Sequence, residues 1–314
     1  MLLGATAQSQ EETFHRKKRI LSAPHFWMTD RDEEVIGAVY RYRVLDRPQV
    51  EKLFFATANR TRERLRLLYQ HGYLERVPRM IYPGEPSRGP AYRLAARGAK
   101  FLARRSGVEL KELHYWGRGD DKDGRRTEVT NLFLEHMVAV ADIHIAFELA
   151  VNNKLCTIDV WRDDMEMRHA RDWDSVWIQT SPAAKKKLTA VTPDSYFELA
   201  TPQSRGHFFV EADRATETIA EAWRRKILTY KEYMASGGFH KRYEVSQPET
   251  GFRVLTVTSS MQRAQNLKAA AEKYGAAELA PLFLFAPFAD LDGQDVLTAP
   301  IWLRGGTTGH QALL

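Results

Sequence analysis

Two groups of residues have the types and spacing to do chemistry. The first is Asn59-Arg60-Thr61-Arg62-Glu63-Arg64-Leu65-Arg66, which sets four arginines within seven residues. Guanidinium groups fork onto phosphate oxygens and guanine edges, so this density is that of a phosphate and base-edge reader. The second group lies far downstream. Glu211 and Asp213 stand two apart in the period-two run His207-Phe208-Phe209-Val210-Glu211-Ala212-Asp213, so both carboxylates leave one strand on the same face. Lys226 borders the inward stripe of the helix that follows, and its ammonium can lean back over the sheet.

Those side chains need elements to hold them. The chain has 314 residues, about twice the usual ~100 to 200 per domain, so two domains are expected. With 44% hydrophobic and 27% charged residues, a mainly disordered, collagenous or coiled-coil chain is excluded. No stretch approaches the ~18 to 20 apolar residues of a membrane span, and no apolar segment with a cleavage site opens the chain, so a cytoplasmic protein with no membrane partner is expected. Cys156 is the single cysteine, which excludes an intramolecular disulfide or a cysteine-based zinc site and reads as a buried thiol. The net charge of +6 is unevenly spread: residues 1–127 carry +10 and residues 128–314 carry −4. A clustered positive domain is the electrostatic footprint of a nucleic-acid-binding module; the alternative is a solvated surface that keeps the protein soluble.

Residues 1–27 read as a basic arm whose His15-Arg16-Lys17-Lys18-Arg19 run can touch phosphate. Thr29-Asp30-Arg31-Asp32 supplies the start of a first helix, with Val35, Ile36 and Val39 at helical spacing through to Leu45. Pro48 opens a second helix, and Arg60 to His71 form a third, stopped by Gly72. A strand at residues 73–77, a Gly/Pro-rich loop, a strand at 91–94 and a helix from about Ala95 to Arg105 follow. This order resembles the winged helix-turn-helix family, most specifically in RERLRLLYQHGYLERV and AYRLAARGAKFL, over residues 28–106. The resemblance implies that residues 60–71 are the recognition helix, that residues 78–90 are the wing, and that Asn59, Arg60, Arg62, Arg64 and Arg66 contact duplex DNA. Arg79 and Arg88 flank the wing and would follow the adjacent backbone or minor groove. The alternative is a winged helix used for dimerisation or protein contact.

Residues 107–127 read as a charged linker, and residues 128–305 as a second domain that opens with a long, broadly apolar helix. His136 and His144 on that helix read as core or rim histidines. A strand at 155–161 follows, then the hairpin of residues 191–199 and 207–213, a helix with inward Ile219, Ala222, Trp223, Ile227 and Tyr230, a strand at 252–258, a helix at 261–274 and a strand at 282–288. Residues 306–314 read as a fraying tail. Trp161, Trp173 and Trp177 read as core packing, and Lys185-Lys186-Lys187 as a solvated loop. Pro193-Asp194, the strand ending in Glu211-x-Asp213 and the helix after it resemble the PD-(D/E)xK nuclease superfamily. That resemblance implies Mg²⁺ bound by Asp194 and Glu211, with phosphodiester cleavage as the chemistry, because a hard cation lowers the pKa of bound water and neutralises developing charge. The superfamily's lysine position holds Asp213 here. Either Asp213 adds a third metal ligand and Lys226 supplies the cation, making Asp194, Glu211, Asp213 and Lys226 the catalytic set, or the domain is not a working nuclease and the acids pair with Arg214, Arg224 or Arg225.

Taken together, the winged-helix run, LEHMVAVADIHIAFELA, PDSYFEL, FFVEADRATET and RRKILTYKEYM resemble the replication-relaxation family of plasmid and phage proteins over residues 28–260. The fold class expected is α/β in the α+β sense, an N-terminal winged helix-turn-helix followed by a restriction-endonuclease-like domain. The function implied is binding of double-stranded DNA in plasmid or phage maintenance, with Mg²⁺-dependent cleavage as an extension. The alternative is a regulator whose second domain forms a homodimer or binds a partner protein.

Overall fold

The computed structural model describes residues 19, 25–80, 88–115, 131–151, 156–169, 173–247 and 250–314. The chain is α+β and divides into two compact units, residues 1–141 and 142–314. No described helix is long and apolar enough to cross a membrane.

In the first unit, helix α1 (Asp30–Arg41) starts at a capping box: Thr29 Oγ1 accepts from the Asp32 amide, and the Asp32 carboxylate accepts from the Thr29 amide. Val35, Ile36 and Val39 are wholly buried, as their spacing predicts. The helix ends four residues before Leu45, because Val44–Asp46 is strand β1, paired antiparallel with residues 91–93. Helical periodicity cannot show such a long-range pairing. Asp46 caps α2 (Arg47–Phe54), with Pro48 in its first turn, and Thr57 caps α3 (Ala58–Gln70). Gly72, at φ +76°, turns the chain into β2 (Leu74–Val77). β2 and β1 flank β3 (Ala91–Leu94) in a three-stranded antiparallel sheet, and α4 (Ala96–Ser106) follows. The unit boundary falls within α5 (Asn131–Val151), whose Leu134 and Val138 pack on Val44 and Ala91. Of the expected basic arm, Arg19 is described; it donates to the carbonyls of Tyr69 and Leu74. Most of the expected wing and linker lies outside the described residues.

The second unit is built on a seven-stranded sheet whose strands lie in the order His310–Gln311, Trp302–Arg304, Phe283–Pro287, Phe252–Thr258, Arg205–Asp213, Ser195–Ala200 and Thr157–Asp163. β4 (Thr157–Asp163), β7 (Ser195–Ala200) and β8 (Arg205–Asp213) are antiparallel neighbours, whereas β8, β9 (Phe252–Thr258) and β10 (Phe283–Pro287) run parallel. Between β4 and β7 lie a short helix, α6 (Asp164–His169), and a separate hairpin, β5 (Ser175–Ile178) with β6 (Lys187–Ala190). One sheet face carries Tyr196, Phe209, Phe252 and Phe283 against α7 (Arg224–Ala235) and α9 (Met261–Leu279); between these helices lies the short α8 (Gly238–Arg242). On the other face Phe147 of α5 meets Phe197 and Trp302. His144 stacks on Trp161 at 3.6 Å and is a packing residue, and Cys156 is buried. The last residues do not fray as expected. β12 (His310–Gln311) pairs with β11 (Trp302–Arg304), and the amides of Leu313 and Leu314 both donate to the Leu297 carbonyl at 3.0 Å.

Candidate functional site

β8 alternates as the sequence predicts. Phe209, Glu211 and Asp213 face α7, which is entered through a π-helical turn at Ile219–Trp223, an element often found at functional sites. Trp223, Lys226 and Tyr230 fall at helical spacing on one face of this segment and reach down to the strand. Lys226 Nζ donates to Glu211 Oε2 at 2.8 Å, and the Tyr230 hydroxyl donates to Glu211 Oε1 at 2.6 Å. Glu217 stands 3.2 Å from the same ammonium. Asp194 is pinned to β8 at the strand entrance: its amide donates to the Val210 carbonyl and its Oδ2 accepts from the Ala212 amide at 2.8 Å. Asp194, Glu211 and Lys226 therefore share one electrostatic environment. Burial pushes the Glu211 carboxyl up, Lys226 opposes this, and the charge on Asp194 adds to it. Burial works against the Lys226 ammonium, but Glu211 and Asp194 prevail and hold its pKa above the ordinary lysine value. Tyr230, buried beside Glu211, is held strongly neutral.

Asp213 plays a different part from the third metal ligand expected of it. Arg263, from the first turn of α9, donates Nε to Asp213 Oδ2 at 2.8 Å and Nη2 to Oδ1 at 3.1 Å. The Thr258 hydroxyl adds a bond at 2.6 Å to Oδ2, and Trp223 Nε1 approaches Oδ1 at 3.3 Å. Burial would raise the carboxyl, but these donors together hold it below the ordinary carboxylate range. A guanidinium thus stands where a cation would, and among the described residues no three His, Cys, Asp or Glu side chains group as a metal centre.

The arginine set is also divided. Asn59, Arg60, Arg62 and Arg66 are exposed on α3, with Arg60 beside Glu63 at 3.0 Å and Arg62 donating to Asn59 Oδ1 at 3.2 Å. Arg64, expected on that face, is buried. It forks onto Asp32, donates to the Trp27 carbonyl at 3.1 Å and lies over the Phe26 ring. Arg79 is likewise internal: it grips Glu135 with Nε at 2.6 Å and Nη2 at 2.5 Å, and Asp46 with Nη1 at 2.8 Å. Both are structural ion pairs rather than DNA contacts, because neither guanidinium is presented to solvent. Arg88 remains exposed, 3.6 Å from Glu135.

Sequence reasoning missed Arg263, Thr258 and Thr256. Thr256 is the register partner of Glu211, and its buried hydroxyl has no hydrogen-bond partner among the described residues. None of the three carries a local signal, since their contacts with β8 span some 45 to 50 residues. Tyr230 had one, four residues after Lys226 on the inward stripe.

An α+β chain with an exposed arginine face in one unit and a buried acid and lysine cluster in the other is what a family comparison must account for. The replication-relaxation family profile matches residues 36–248. The chain belongs to the replication-relaxation family. The matched stretch contains α3 and the Asp194, Glu211 and Lys226 cluster but stops short of Arg263. No curated protein and no solved structure matches the chain.

Proposed function

We propose that the protein binds double-stranded DNA in the replication or relaxation of a plasmid or phage genome. In this reading the first unit is a winged helix-turn-helix that presents the N-terminal part of α3 to the major groove. The observation that carries it is the exposed set Asn59, Arg60, Arg62 and Arg66 on one helix, in a family defined by replication and relaxation. Each neutralised phosphate releases condensed counterions, so affinity must fall steeply with salt. Anisotropy titration of a labelled duplex tests this with the triple variant Arg60→Ala, Arg62→Ala, Arg66→Ala, whose log-log salt slope should drop by roughly one unit per lost phosphate contact. An unchanged slope overturns the assignment.

A second reading, hydrolysis of a phosphodiester in a restriction-endonuclease-like second unit, is favoured by the grouping of Asp194, Glu211 and Lys226. Asp194 and Glu211 are hard oxygen donors of the kind that fit Mg²⁺, and Asp213 is not available to it. Bound there, Mg²⁺ would supply an activated water and neutralise charge on the phosphate. Lys226 would hold a positive charge beside Glu211, and Tyr230 would keep the Glu211 carboxylate oriented. Nicking of supercoiled plasmid in Mg²⁺ or Mn²⁺, abolished by EDTA and by Glu211→Gln, is the expected result. If wild type and variant both retard DNA and neither cuts it, the cluster is a structural element of a regulator.

A further inference from the structure

The hairpin of β5 and β6 stands apart from the main sheet and has two unlike faces. Val176 and Ile178 point into the core with Ile227, Tyr230 and Tyr233, and the hairpin packs on α7, the helix that carries Lys226. Its base is fastened: Asp174 accepts from the Tyr233 hydroxyl and pairs with Arg242 at 3.5 Å, and its carbonyl accepts from the Val191 amide at 2.8 Å. On the outer face Trp177 stands directly opposite Leu188, and the two side chains are 60% and 51% exposed. The sequence reading of Trp177 as core does not hold. Lys185 and Lys186 lie in the connection before β6, whereas Lys187 opens the strand opposite Ile178; all three are exposed, and residues 175–190 contain no aspartate or glutamate. None of the three ammonium groups pairs with a carboxylate among the described residues.

An anchored ribbon that shows an indole on one face and carries two unneutralised cations in the connection between its strands has the two parts of a single-strand site: a stacking face, and positive charge for the backbone. Duplex DNA offers base faces only at its ends, so the indole points to unpaired bases. We propose that the outer face of this hairpin binds single-stranded DNA, with a base stacked on Trp177 and the phosphates met by Lys185 and Lys186. This deepens the reading of the chain as a DNA-binding protein and rests on it; the occupant is an unpaired strand beside the α7 cluster rather than the duplex met by α3.

The test uses the full chain with a labelled oligothymidylate and, separately, a labelled blunt duplex. Trp177→Ala should weaken oligothymidylate binding by roughly five- to a hundredfold, as loss of one stacked base does, and leave duplex binding within about twofold. Trp177→Phe should restore most of the affinity, and the double variant Lys185→Ala, Lys186→Ala should flatten its salt dependence. Unchanged oligothymidylate binding in Trp177→Ala overturns the proposal, as does wild type that binds the duplex alone. A shift from dimer to monomer in sedimentation of Trp177→Ala, with single-strand affinity unchanged, assigns the face to a second copy instead. Loss of binding to both nucleic acids by wild type would overturn the DNA reading as a whole.

Discussion

Arg79 in the first unit and Glu211 in the second are both almost closed to solvent, with side chains 4% and 2% exposed, yet their partners differ in kind. Arg79 forks onto Glu135 and reaches Asp46 with its remaining nitrogen, so a planar cation and two anions lock each other. Glu211 is met by a lysine, a compact charge on a flexible stem, and by a neutral hydroxyl, with a second carboxylate nearby. Asp213, two residues further along β8, belongs with the first kind, because Arg263 forks onto it. Arginine-held carboxylates are fixed parts of the frame. A lysine-held carboxylate with a raised pKa can change partner or protonation state, which is what a functional group must do.

Arg79→Ala should be the costliest change. It takes the shared guanidinium from two buried carboxylates, Glu135 and Asp46, and removal of one partner of a buried ion pair costs about 3 to 5 kcal/mol. Urea denaturation measures this, and a loss below about 1 kcal/mol would show that the cluster relaxes to water on its own. Lys226→Met should cost less, on the order of 1 to 3 kcal/mol, because Glu211 keeps its Tyr230 bond and is already inclined to take up a proton. Equal costs for the two variants would erase the distinction between the clusters.

The acids themselves sharpen it through pH. The Asp213 pKa in the fold lies below its ordinary value of 3.8, so its contribution to stability is present above that value and is lost as pH falls through the folded pKa. Glu211 is raised above its ordinary 4.5, so its contribution is largest below 4.5 and fades as pH rises through the folded pKa. Asp213→Asn should therefore flatten the fall in stability below about pH 3.8. Glu211→Gln should instead steepen the acid-side decline above pH 4.5, having removed the opposing contribution. Thermal melts of the three proteins across the acid range separate the outcomes, and parallel profiles would break the comparison.

What was legible in the sequence follows from how far each interaction reaches. The β7 and β8 hairpin, the shared face of Glu211 and Asp213, and the lean of Lys226 over the strand are consequences of period two and period 3.6, and each stands in the fold as read. The fates of Arg64 and Arg79 were not legible. Their carboxylate partners lie 32, 33 and 56 residues away, and a helical wheel counts Arg64 as exposed until α1 is laid against it. The same holds for Val44–Asp46, which local spacing joins to helix α1 and distant pairing turns into a strand. Trp177 failed in the opposite sense, because residue type alone put in the core a side chain that the hairpin register puts outside.

The smallest effect expected is also the one that separates frame from surface within a single helix. Arg60 and Arg64 lie four apart on α3, but the Arg60 side chain is 57% exposed beside a half-exposed Glu63, whereas Arg64 is 10% exposed against a wholly buried Asp32. An exposed i,i+3 pair contributes a few tenths of a kcal/mol, so Arg60→Ala should change stability by no more than about 0.5 kcal/mol. Any sizeable consequence of that substitution must then appear in DNA affinity and its salt dependence. Arg64→Ala inverts the pattern: the buried Asp32 carboxylate loses its cation, the fold weakens, and duplex binding per folded molecule stays near wild type. If instead Arg60→Ala destabilises the protein and Arg64→Ala selectively weakens duplex binding, the division of α3 into an inner and an outer arginine face is wrong.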